Sequence, residues 1–196
     1  MVVLDEHAGK LEQVGALHGL GIGEQIQSVR WFDDLAIVVT FRQTDPLYTV
    51  DLSDPTRPRR LGALELPGFS SYLHPLGDSL LLGLGSDGTD RAKAAVFDIA
   101  DSTHARQVGT VSFGPNSWLA AAEDPHAFTW LPAQHAAITG VQHGSHTSMV
   151  LLRVAADGSV SAHGLGSVGG WDSRALPLGD GRVALVGNSV RIVTVS

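Results

Sequence analysis

Short apolar runs alternate with tight polar turns along the whole chain, and the period within the runs is that of strands. The clearest stretch is 26–66. Ser28 to Phe32 reads as one strand, Asp33-Asp34 as a tight turn, and Leu35 to Phe41 as a second strand. That second strand is rich in Val and Ile, which suit a pleated, half-buried surface. Thr44-Asp45-Pro46 turns the chain into Leu47 to Leu52, and Ser53-Asp54-Pro55 turns it again into Leu61 to Leu66. Four strands a, b, c and d follow one another through short connections.

The pattern then recurs. Ser71 to Leu76, Leu80 to Leu84, Ala94 to Ile99 and Gln107 to Phe113 form a second unit, with a polar loop at Ser86 to Lys93 and a longer insertion at Gly114 to Pro125. His126 to Leu131, His135 to Val141, Met149 to Val154 and Ser159 to Leu165 form a third. A fourth begins at Ser173 to Leu178 and continues through Arg182 to Val186 and Val190 to Val195. An interval of about eleven residues fixes the register: Asp51 to Gly62, Asp98 to Gly109 and Arg153 to Gly164, with Asp5 to Gly15 one shorter. Pro75-Leu76-Gly77-Asp78 returns as Pro177-Leu178-Gly179-Asp180. Four-stranded repeats of about 45 residues are the mark of propeller blades. The sequence therefore predicts an all-β fold, a single domain over 1–196, built as a β-propeller of about four antiparallel four-stranded blades. The units are about 26–66, 70–113, 126–165, and 173–196 completed by 1–20.

That last pairing follows from the ends. The fourth unit lacks strand d, and Leu11 to Leu17, after a turn around Ala8-Gly9, has the length and pattern of a spare one. The expectation is a ring closed by pairing Leu11 to Leu17 with Val190 to Val195, as a monomer or, if the strand comes from another copy, a strand-swapped homodimer. Val2 to Leu4 is then a surplus strand of c type.

Composition narrows the classes. A formal net charge of -7 and the absence of any Lys/Arg cluster beyond the short turn Arg57 to Arg60 argue against a nucleic-acid partner. With no Cys there is neither a disulfide nor a thiolate site. No apolar run reaches the roughly 18 residues of a membrane span, and Met1 to Asp5 lacks the basic and apolar regions of a signal peptide.

The segments VVTFRQTDPLYTVDLSDPTRP and LGALELPGFSSYLHPLGD, and later DPHAFTWLP, closely resemble bacterial and archaeal secreted proteins with a C-terminal β-propeller domain. The likeness is most specific over Gln27 to Gly85. Those proteins are longer, so the chain resembles their C-terminal part. The resemblance implies a propeller and an extracytoplasmic setting, and it implies no particular activity.

In a propeller, strand a lines the central channel. The positions at its start are Ser28, Arg30, Ser71, His74, His126, Ser173 and Arg174, a ring of cations and hydroxyls suited to an anion or a polar small molecule. Equivalent repeat positions should gather Ser28, Ser71, His126 and Ser173 about one axis. The same groups are equally suited to bonding neighbouring blades, as buried polar groups must. Arg42-Gln43-Thr44-Asp45 reads as a capped turn before Pro46. His143 and His146 lie in a loop and, with His135 and His163 on distant strands, make a weak metal set, so no cofactor and no metal site is expected. A GxSxG elbow is not present, and Glu123-Asp124 are adjacent rather than a facing carboxylate pair. The leading functional reading is a non-catalytic binding or scaffold propeller for a protein, glycan or small molecule. The competing readings are a hydrolase or lyase using His126 with Arg30 or Arg174, and a metal-stabilised propeller.

Overall fold

The computed structural model describes residues 1–41, 45–66 and 68–196. The turn at Arg42-Gln43-Thr44 and the Asp45 side chain lie outside the described residues, as does Pro67.

The chain opens with a hairpin, β1 (Val2–His7) and β2 (Lys10–Ala16), closed by a two-residue turn in which Ala8 and Gly9 have φ of 52° and 74°. Positive φ at both central positions matches the twist of the paired strands. Blade 1 follows as β3 (Gln25–Phe32), β4 (Leu35–Phe41), β5 (Asp45–Asp51) and β6 (Arg59–Leu66), paired in that order. Blade 2 repeats it with β7 (Phe69–Leu76), β8 (Leu80–Ser86), β9 (Ala92–Asp98) and β10 (Arg106–Ser112). All pairings are antiparallel.

Blade 3 departs from the pattern. Its innermost position is shared by β11 (Ser117–Leu119) and β12 (Thr129–Leu131), which pair with the two ends of β13 (Ala136–His143). Between them the chain leaves the sheet through the short helix α1 (Ala120–Glu123) and a 3-10 turn at Pro125–Ala127. The stretch expected as an insertion thus supplies half of strand a, and His126 stands in the turn rather than on a strand. Pro125 begins that turn, and the Asp124 carboxylate accepts from the His126 N–H at 2.9 Å. The blade is completed by β14 (His146–Val154) and β15 (Val160–Gly166). Blade 4 has three strands, β16 (Arg174–Gly179), β17 (Arg182–Val186) and β18 (Val190–Thr194).

In blades 1 to 3, strands b and c are largely buried on both faces, which is why they read as continuous apolar runs, whereas β18 of blade 4 is mostly exposed. Ile37, Val39 and Leu47 of blade 1 pack with Leu73, Leu81 and Phe97 of blade 2. Leu82, Leu84 and Val96 face Ala137, Val141 and Leu152 of blade 3, and Ile138, Met149 and Leu151 face Val183 and Leu185 of blade 4. Val38, Leu82, Ile138 and Leu185, one from strand b of each blade, are all buried.

The Asp–Gly interval has a steric cause. A Cβ on Gly62 of strand d would stand 2.7 Å from the Thr103 carbonyl oxygen in the c–d turn of blade 2. One on Gly109 would overlap the Gly158 carbonyl of blade 3, and one on Gly15 the Pro55 carbonyl of blade 1. Each glycine lets the next blade's turn press against its strand. Gly164, the fourth in the series, has nothing within 4 Å.

The expected closure does not form. Among the described residues, β2 pairs with β1 alone and β18 with β17 alone, so 173–196 is not completed by 1–20. Instead the N-terminal segment packs on strands b and c of blade 1: Met1, Leu17 and Leu20 lie against Ala36, Val38, Tyr48 and Val50. The Met1 ammonium donates to Leu17 O at 2.9 Å, and the Leu17 N–H to Met1 O at 3.0 Å. The hairpin therefore takes the place of strands c and d of a preceding blade. Within these residues the blades form an open arc.

Candidate functional site

The inner strands carry the polar groups singled out in the sequence, and the structure sorts them into two clusters. In the first, the Ser28 hydroxyl donates to Ser70 O at 2.7 Å and the Arg30 Nε donates to Leu73 O, so β3 and β7 are bonded side by side across the blade boundary. The Arg30 guanidinium lies 5.1 Å from the centroid of the Tyr72 ring, a cation–π distance. Tyr72 and His74 stand two apart on β7 and so share one face. Their rings meet Phe128 at 4.9 Å and 4.6 Å between centroids, and Trp130 lies 5.4 Å from His74. Burial holds the His74 imidazole down to a pKa of about 4, and the nearby Arg30 charge adds to the shift. His74 is therefore neutral at ordinary pH and behaves as an aromatic group joining blades 2 and 3.

The second cluster joins blades 3 and 4. Asp124 Oδ2 accepts from Arg174 at 2.6 Å, and Asp124 Oδ1 lies 2.9 Å from His126 Nδ1. The Asp124 carboxyl is held below its usual range, first by the His126 backbone N–H and side-chain hydrogen bonds and then by the Arg174 charge. His126 itself points outward, with its side chain 90% exposed. Thr129 adds a hydrogen bond from its hydroxyl to Ala175 O at 2.7 Å.

Ser173 is buried, and its hydroxyl contacts Gly169 O and Gly170 O, both at 3.0 Å, tying down the loop before β16. Ser71 is the half-buried bulge residue of β7, where the register slips between Ser70 and Tyr72. The contacts thus link Ser28 to β7 and His126 to Arg174, while Ser173 is occupied within its own loop. Arg30 and Arg174 belong to different clusters.

Tyr72, Phe128 and Trp130 were not singled out from the sequence, where Asp124 was named only beside Glu123 as carboxylates that do not face each other. The alternation in Ser71-Tyr72-Leu73-His74 and in Phe128-Thr129-Trp130 carried the signal for the aromatic row. Asp124 was legible only as a cap on the turn that follows it.

At the rim, the turns between strands c and d repeat one device. Asp54 accepts from the Thr56 N–H at 3.0 Å and the Thr56 hydroxyl at 2.6 Å, and Asp101 does the same with Thr103 at 2.9 Å and 2.5 Å. Asp51 with Arg59 and Asp98 with Arg106 close the strand ends at 2.8 Å and 2.6 Å. Hydrogen bonds first from Ser53, Thr56 and Thr103, and then from Arg59, Arg57 and His104, hold Asp51, Asp54 and Asp101 respectively down to about 2. Among the described residues, no three His, Asp or Glu side chains stand together as a metal would require. His143 and His146 face each other across a turn without a third such group. No helix among the described residues is long and apolar enough to cross a membrane.

Known proteins agree with this architecture. The chain is 42% identical over 120 residues to an uncharacterized protein of Methanocaldococcus jannaschii, covering 61% of this chain and 19% of that one. It is 41% identical over 135 residues to an uncharacterized protein of Archaeoglobus fulgidus, covering 69% of this chain and 21% of the relative. The chain thus matches about a fifth of the length of these relatives. A crystal structure of a protein from Lactobacillus plantarum superposes with a TM-score of 0.62 at 15% identity, over 98% of this chain and 60% of that one; at that identity the likeness is one of fold. A family model described as "Beta propeller domain" matches residues 1–168, from the first hairpin through blade 3, and on that match and the stacked antiparallel blades the chain belongs to the beta propeller domain family.

Proposed function

We propose that this propeller is a non-catalytic scaffold and binding module. One observation carries the reading: the polar groups of the inner strands are spent on joining blades. Arg30 bonds β7, Arg174 bonds Asp124 of the preceding blade, and Ser173 holds its own loop. Catalytic acids and bases work where perturbed groups converge on an enclosed site. Here the shifted inner group, His74, is packed among aromatic rings, and the Asp-oriented histidines, His104 beside Asp101 and His126 beside Asp124, both stand in solvent. The resemblance to secreted proteins supports an extracytoplasmic setting, where a rigid repeat presents its loops and rims to a polypeptide or glycan.

A panel of chromogenic ester, phosphoester and glycoside substrates tests the reading, with wild type set beside Arg30→Ala, His126→Ala and Arg174→Ala. The expected result is no turnover by any of them, with lower thermal midpoints for the two arginine variants. Turnover by the wild type that His126→Ala abolishes while the fold persists would overturn the proposal in favour of a hydrolase.

A further inference from the structure

The N-terminal hairpin covers only half of the face it lies on. Over Val38 and Tyr48 it supplies the outer two strand positions, and among the described residues no strand stands at the inner two. The exposed floor consists of Ile26, 68% accessible, and Trp31, 61%, with Val29 half-buried between them. A groove of about 430 Å³ runs between this floor and Met1, Val2 and Leu17, and a second of about 220 Å³ continues it past Trp31 toward Leu4. Along one side lies β1, whose edge away from β2 is unpaired among the described residues. Unpaired edges beside an apolar floor are templates for a further strand.

We infer that this groove is a docking site for one two-stranded antiparallel β-unit, which pairs with the free edge of β1 and lays its apolar face on Ile26, Val29 and Trp31. The size of the occupant follows from the blades themselves: blades 1 and 2 each have four paired strands, and β1–β2 supplies two. Its position continues an existing interface, since Met1 and Leu17 line the groove and also pack on Val38. Its chemistry follows from the other boundaries, where strands a and b of each blade meet the next through Leu, Ile and Val. Its source is polypeptide of the longer kind seen in the relatives, in which the matched stretch is 19% and 21% of the whole. A second copy of this chain fits less well. Its blade 4 brings three strands, so its β18 would compete with β1 for the same place.

The test supplies the unit in cis. The full chain is extended by a copy of residues 69–86, the first two strands of blade 2, joined ahead of Met1 by a Gly/Ser linker. Backbone amide exchange over Val2–His7 is compared with that of the unextended chain. Exchange there is expected to slow at least tenfold in the extended chain, with a rise in its thermal midpoint. Trp31→Asp should remove both gains and leave the unextended chain's midpoint unchanged, because Trp31 is exposed there. An extended, folded chain whose β1 amides exchange as before would overturn the proposal. So would an unextended chain that is dimeric by light scattering with Val2–His7 already protected, since the occupant would then be a second copy.

Discussion

Gly62 and Gly164 occupy the same position in two repeats, and replacing each by Ala should have opposite effects. Neither needs a left-handed backbone, so the comparison isolates packing. At position 62 the new Cβ would sit 2.7 Å from the Thr103 carbonyl oxygen and 3.1 Å from the Ser102 carbonyl oxygen. Both are backbone atoms, so no side chain can swing aside and the turn itself must retreat. Overpacking of this kind costs about 1–3 kcal/mol. Against it stands the entropy that Ala saves relative to Gly in a strand, about 0.5–1 kcal/mol. The net is a loss of up to about 2.5 kcal/mol, or a fall of up to about 10 °C in thermal midpoint for a chain of this length. At position 164 the overlap is absent, because nothing lies within 4 Å, and only the entropic gain remains. Gly164→Ala should therefore raise the midpoint by about 1–4 °C. Differential scanning calorimetry of the two variants beside the wild type reads both shifts. Equal shifts, or a larger loss at 164, would refute the seating of each c–d turn on the preceding blade's glycine.

Three further outcomes follow. Val38→Asp puts an unpaired charge on the buried floor beneath the hairpin and should cost several kcal/mol, read by urea denaturation. His74 has a folded pKa depressed from 6.5 to about 4, so its contribution is intact above pH 6.5 and is lost as pH falls toward 4; His74→Phe should flatten stability across that window, as followed by thermal midpoints against pH. The rim carboxylates are depressed from 3.8 to about 2, so the stability of Asp51, Asp54 and Asp101 is present above pH 4 and lost as pH falls through about 2, and Asp101→Asn should lessen the acid slope in the same titration.

The blades were legible because strands b and c of blades 1 to 3 are largely buried on both faces and therefore read as unbroken apolar runs at a fixed repeat. The Asp–Gly interval was legible as a spacing, but its meaning lay in contacts between blades that no single repeat contains. Closure was misjudged for a related reason. Alternation says that residues 11–17 form a strand and does not say which edge they join. The Ala8-Gly9 turn decides it, since a two-residue loop brings β1 and β2 together at far lower entropic cost than an end-to-end pairing. In the candidate site, Arg30 and Arg174 were located by repeat position, and His126 was misplaced because Asp124 and Pro125 divert the chain into a capped turn before the strand resumes at Thr129.

The open arc is tested most directly by removing the N-terminal hairpin and mapping where protection is lost. In a chain lacking residues 1–19, hydrogen exchange should quicken in β4 and β5, whose Ala36, Val38, Tyr48 and Val50 lose their cover, while β16, β17 and β18 exchange as before. Loss of protection in β18 on the same deletion would contradict the arc and show that the two ends of the chain pair with each other.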